Sequence, residues 1–98
     1  MNEAKARGLL GLAVRARQIH FGEEACRQLV RSGGCALLML DEAAGIHTRK
    51  KAETMSRAAQ IPLILLPAGF MEQAMGRGNM MAAVQQGTFS EPLTEYLT

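Results

Sequence analysis

Apolar residues fall along this chain in two alternating patterns, stripes at helical spacing and short unbroken runs, and the alternation predicts the elements. From Asn2 to about Arg17, Leu9, Leu12, Ala13 and Ala16 recur at helical spacing while Lys5, Arg7 and Arg15 lie off that stripe, which predicts an amphipathic helix. Gly8 and Gly11 weaken that helix by about 1 kcal/mol each unless another backbone packs against them. Ile19 to Phe21 is a very short strand. The stretch from Gly22 to Gly34 then carries a complete helix. Glu23 and Glu24 occupy its first turn, Ala25, Cys26, Leu29 and Val30 form its stripe, Glu23 and Arg27 pair at i,i+4, and Gly33 closes it in a left-handed conformation.

Cys35 to Leu40 is an unbroken apolar run of strand length, which implies burial on both faces, and Asp41 and Glu42 end it. Thr48 to Gln60 has a helical pattern, with Ala52, Met55 and Ala59 inward and Arg49, Lys50, Lys51, Glu53 and Arg57 outward. Ile61 to Leu66 reads as a second buried strand, with Pro62 confined to its start or to an edge. A turn at Pro67 to Gly69, a short helix marked by Phe70, Met71, Ala74 and Met75, a third apolar run at Met80 to Val84 and a last helix capped by Ser90 complete the chain, with Phe89, Leu93 and Leu97 on one face of that helix. Helix and strand alternate throughout. The pattern predicts one α/β domain over residues 1–98, an α/β/α sandwich around a parallel or mixed sheet of about four strands. Ligands collect at the carboxyl ends of strands in such sheets, and those ends deliver 22–28, 41–48 and 66–70.

Composition changes this picture little. Nearly half of the residues are apolar and a fifth are charged, as in ordinary globular proteins. No apolar run approaches the roughly 18 residues of a membrane span, and the opening residues lack the apolar core of a signal peptide, so a cytoplasmic protein without membrane contact is expected. Cys26 and Cys35 sit inside apolar runs and read as small buried hydrophobes rather than as a disulfide or metal pair. Charge distribution is more informative. The net charge is +2, but residues 1–57 hold ten Lys/Arg against six Asp/Glu, whereas residues 58–98 hold Arg77 against three glutamates. The positive field belongs to the first half, toward an anionic partner.

Candidate chemistry is sparse. Asp41 and Glu42 read as solvated loop residues, His20 and His47 stand alone, and Ser32, Ser56 and Ser90 have cap or surface explanations. The chain has no dinucleotide-binding glycine fingerprint, phosphate-binding Walker loop, nucleophile elbow or histidine-cysteine-acid constellation. No enzyme activity, cofactor, metal or small-molecule substrate is expected. A helix amino end, a basic helix and an apolar loop together suit folded RNA. One Tyr, three Phe and no Trp make a stacking platform for single strands a poor fit. A protein-interaction module is the alternative.

Several stretches, in order and spacing, carry a family resemblance: Leu9 to Arg17, Gly22-Glu-Glu24 through Gly33, Thr48-Arg-Lys-Lys51, Ile61-Pro62 and Ala74-Met-Gly76. Over nearly the whole chain they resemble the kink-turn RNA-binding ribosomal protein family, the large-subunit proteins seven-Ae and thirty-e, and within it the small bacterial YlxQ-type members. The resemblance implies a non-catalytic, ribosome-associated α/β/α sandwich that grips a sharply bent RNA, such as ribosomal RNA, containing sheared G·A pairs. The family pattern Gly-x-Asn-Glu-x-x-Lys, whose polar groups read guanine edges, falls here on Gly22, Glu24, Ala25 and Gln28. Glu24 can accept from guanine N1 and N2, and Gln28 can donate to O6. Glu23, Arg27 and Arg31 complete the implied RNA contact on that helix, and Leu66, Pro67, Ala68 and Gly69 match the family's apolar contact loop.

Overall fold

The computed structural model describes residues 1–98 as five helices and four strands: α1 (Glu3–Arg15), β1 (Ile19–Phe21), α2 (Glu23–Arg31), β2 (Cys35–Asp41), α3 (Ile46–Ala59), β3 (Leu63–Leu66), α4 (Phe70–Met75), β4 (Met81–Gln85) and α5 (Ser90–Leu97). The sheet order is β1-β4-β2-β3. β4 is antiparallel to both β1 and β2, and β3 is parallel to β2. Hence β1, β2 and β3 run in one direction and β4 returns between them.

The two faces of the sheet build two cores, and the period of two along the central strands assigns residues to each. Leu37 and Met39 of β2, with Ala82 and Val84 of β4, face α1, α4 and α5. Leu38 and Leu40, with Met81 and Ala83, face Cys26 and Leu29 of α2 and Ala52 and Met55 of α3. Three layers result, α/β/α around a mixed four-stranded sheet, as the alternating pattern predicts.

Four details differ from the sequence reading. In α1 the inward stripe is Ala6, Leu10 and Ala13, whereas Leu12 is 51% exposed and Ala16 is exposed. Leu9-Leu10 and Leu12-Ala13-Val14 spread apolar side chains over more than one face, so spacing alone fits two stripes. In α3, Ala59 is exposed as the last residue of the helix. β3 is an edge strand rather than a doubly covered one: only Leu66 is buried, and Leu65 is 49% exposed. Pro62 precedes it, and its carbonyl accepts from Leu38 N at 2.9 Å. Finally, the Ser90 hydroxyl does not cap α5 but turns back, donating to the Gly87 carbonyl at 2.8 Å.

The two glycines of α1 have different surroundings. A Cβ on Gly11 would lie 3.9 Å from the Ala74 carbonyl oxygen of α4, while one on Gly8 would meet nothing within 4 Å. Gly8→Ala therefore removes backbone freedom from the unfolded chain without a steric cost. We expect it to raise unfolding free energy by about 0.5–1 kcal/mol, measured by urea denaturation. Equal or lower stability would mean that the Gly8 face is occupied.

Candidate nucleic-acid interface

Because β1, β2 and β3 run the same way, their carboxyl ends share one edge of the sheet, joined there by the start of β4. Gly22 N donates to the Met81 carbonyl at 2.9 Å, Asp41 N to the Met80 carbonyl at 2.8 Å, and Glu42 N to the Leu66 carbonyl at 2.9 Å. These bonds fix the order along the edge: Gly22, then 79–81, then 41–43, then 66–69. Strand spacing puts the two outer segments roughly 14 Å apart. The segments singled out in the sequence at 22–28 and 66–69 thus flank a common edge without touching.

At one side, Gly22 holds φ +91° and precedes α2, and a Cβ there would sit 3.5 Å from Asn79 Nδ2. No side chain caps the helix, so the first-turn amides face outward at a positive dipole end. Glu24, Gln28 and Arg31, spaced i, i+4, i+7, form its exposed stripe. Ala25 is half-buried. Glu23 and Arg27 lie on the neighbouring face. The Arg27 guanidinium donates to Glu23 Oε2 at 2.7 Å and to Glu24 Oε2 at 3.1 Å, and Lys51 Nζ of α3 approaches Glu23 Oε1 at 3.3 Å. The hydrogen bond from Arg27, with Lys51 behind it, holds the Glu23 carboxyl below the usual carboxylate range, and the same bond raises Arg27. Arg27, paired with Glu23 as its spacing predicts, and Lys51, an outward charge in the sequence, are therefore both already engaged.

At the other side, Pro67 and Ala68 are exposed and form a turn closed by Phe70 N donating to the Pro67 carbonyl at 3.0 Å. Gly69 follows at φ +82° and starts α4. Leu66 does not face outward: its side chain is fully buried in the core beneath α1 and α4, so it anchors the loop and offers a ligand no surface. An open depression of about 460 Å³ beside the loop is lined by Glu42, Ala43, Arg49, Leu65 and Ala68.

Asp41 is a correction to the sequence reading. It is the last residue of β2 and only 5% exposed, not a solvated loop residue. Its Oδ1 accepts from Ala43 N at 2.7 Å and its Oδ2 from Gly69 N at 3.1 Å, so one carboxylate ties the end of β2 to the Pro67 turn. Glu42 is exposed, as read. His20 Nε2 lies 2.8 Å from Gln85 Oε1, and His47 is exposed on α3.

In the sequence Gly76 to Gly78 reads as a helix end and Met80 as the start of an apolar run, and neither reads as part of a site. The Arg77 guanidinium lies 4.4 Å from the centroid of the Phe21 ring, placing the one cation of the second half of the chain next to Gly22. Its isolation in an otherwise acidic half, just past the α4-terminating Gly76, is the only sequence signal it carries. Met80, 42% exposed, sits between the two outer segments.

No protein-family model matches the chain, and no curated protein matches it in sequence. Among solved structures, the chain is similar to a protein of unknown function from Bacillus halodurans, with 35% identity over 96% of this chain and 97% of that one and a TM-score of 0.88. It is also similar to part of the archaeal translation termination factor aRF1, with 17% identity over 80% of this chain and 23% of the factor and a TM-score of 0.59, a likeness of fold alone.

Proposed function

We infer the function of this chain, which belongs to the same family as the Bacillus halodurans protein of unknown function, from its own surface: it is a non-catalytic RNA-binding protein that recognises structured, kink-turn-like RNA and works on the ribosome. The observation that supports this reading is the shared edge, where an uncapped helix end, with Arg77 beside it, and an apolar turn stand roughly 14 Å apart. That separation suits a bent, folded polymer that meets both segments at once. Guanine edges come to Glu24 and Gln28, Pro67 and Ala68 lie against an unstacked base or ribose, and Gly22 lets the backbone come close.

A second reading rests on the internal pairing of Glu23 and Glu24 with Arg27 and Lys51, which lowers the free positive charge and suits a protein-interaction module of the same fold. Titrating the protein with a kink-turn RNA and with a duplex whose G·A pairs are replaced separates the two. The RNA reading expects preference for the kink-turn and a negative salt slope. Equal or absent binding to both would remove it, and partners retained after nuclease treatment would favour the protein module.

Within the RNA reading, Gln28→Lys replaces a neutral donor to guanine O6 by a charged one. It is expected to tighten kink-turn binding by about 1 kcal/mol, the difference between ordinary and charge-assisted hydrogen bonds. Unchanged affinity would show that position 28 does not face the RNA.

A further inference from the structure

We propose that the groove between α2 and α3 is a phosphate track: Arg27, Lys50 and Lys51 hold the sugar-phosphate backbone of the RNA stem leaving the Gly22 edge, and Glu23 keeps the phosphate's place in the free protein. The inference rests on the RNA reading of that edge and extends it to a second surface.

The groove, of about 250 Å³, is lined by Arg27, Lys50, Lys51, Thr54 and Met55. Its position follows from the fold. α2 and α3 cover the same face of the sheet, and both begin where parallel-running strands end, so their amino-terminal halves flank a channel that opens onto the interface edge. Both helix dipoles turn their positive ends toward it.

Glu23 marks where an anion fits. Its two oxygens serve the two helices separately, Oε2 taking Arg27 of α2 at 2.7 Å and Oε1 taking Lys51 of α3 at 3.3 Å. A phosphodiester presents two non-bridging oxygens in the same way and can take both cations. Exchange is cheap, because ion pairs that solvent still reaches, as it does the half-buried Arg27 and Glu23 and the exposed Lys51, are individually weak. Lys50 enters none of the three ion pairs of the chain and is exposed, so it meets a phosphate without first giving up a partner. The Thr54 hydroxyl is committed to the Lys50 carbonyl at 2.9 Å, which leaves the ligand to the cations, and Met55 supplies an apolar floor for a ribose. In the sequence Lys50 and Lys51 read as outer-face charges and as part of the Thr48-Arg-Lys-Lys51 stretch, with no RNA contact assigned to them. The pairing across to α2 gives them a common direction.

The test is a salt titration of kink-turn binding with the full chain and the double variant Lys50→Gln/Lys51→Gln, both positions being exposed. The variant is expected to keep its preference for the kink-turn over the G·A-replaced duplex, while the slope of log affinity against log salt becomes shallower by about 1 to 2. Glu23→Gln releases Lys51 and leaves Arg27 with Glu24 as its one ion-pair partner, and it is expected to bind both RNAs several-fold more tightly with a steeper slope. A wild-type protein that binds neither RNA, or both equally, would overturn the RNA reading itself. A discriminating wild type whose slope the double variant leaves unchanged would overturn the groove alone, as would weaker binding by Glu23→Gln. Inorganic phosphate at matched ionic strength is expected to release RNA no better than chloride. Phosphate-specific release that the double variant loses would assign the groove to a free anion and overturn the backbone assignment.

Discussion

Raising the pH from 9 to 11 is expected to remove on the order of 5 kcal/mol of folding stability through two thiols alone. Cys26 and Cys35 are free, buried and members of the core beneath α2 and α3. Burial, with the neighbouring Cys35 adding to it, pushes the Cys26 thiol from 9.0 up to about 12. Burial pushes Cys35 from 9.0 up to about 11, against a smaller opposing effect of the Leu37 backbone. The sign follows from proton binding. Above pH 9 the unfolded thiols ionise while the folded ones stay protonated, so the folded state binds more protons and stability falls with rising pH. Below pH 9 the contribution is constant. Each thiol contributes a slope near 1.4 kcal/mol per pH unit until its folded value is reached. Urea unfolding at stepped pH checks this, with the variant Cys26→Ala/Cys35→Ala as control. The variant is less stable at neutral pH because it leaves small voids, yet its stability is expected to fall less between pH 9 and 11. Parallel curves for the two proteins would show that other groups govern alkaline unfolding.

Those thiols also show what an apolar run discloses. A residue inside such a run reads as buried, and for Cys26, Cys35 and all of β2 except the half-buried Ala36 that inference holds, because β2 is flanked by β4 and β3 and covered on both faces. The same inference applied to Ile61 to Leu66 gives the wrong environment, since the run carries no information about which strand ends the sheet. Strand order is decided by contacts distant in sequence, and β4, the last strand, inserts between β1 and β2. Local features fared better. The Glu23 and Arg27 pair and the left-handed Gly33 depend on neighbours within one or two turns, and both occur as read.

The edge itself was partly legible. Short connections after β1, β2 and β3 named the segments delivered to it, but the presence of 77–80 among them requires knowing where β4 starts in space. Asp41 was the hardest residue to read. An Asp at the end of an apolar run is normally the first solvated residue, and what retains this one in the interior is the Gly69 amide, 28 residues further along the chain. No periodicity or spacing announces such a partner.

Asp41→Ala is therefore expected to destabilise the fold by about 2–4 kcal/mol, because it strips the Ala43 and Gly69 amides of their acceptor and leaves a small void beside them. For a chain of this length the melting temperature should fall by roughly 10–20 °C. Leu66 limits the damage. Its side chain stays in the core and its carbonyl still accepts from Glu42 N, so the strand end holds while the Pro67 turn loosens. Asp41→Asn separates the two roles of the carboxylate. The amide keeps one acceptor oxygen but presents an NH2 group to the other backbone donor, so it is expected to lose about half as much stability. Hydrogen exchange at the Gly69 amide reads the loop directly and should accelerate in both variants more than exchange at the β2 amides. If Gly69 and the strand interior accelerate together, Asp41 supports the fold as a whole rather than the turn. Under the RNA reading, Asp41→Asn, assayed well below its melting temperature, should bind the kink-turn about tenfold more weakly with an unchanged salt slope. The carboxylate lies beneath the turn and contributes by fixing Pro67 and Ala68 at their distance from Gly22, without meeting a phosphate itself.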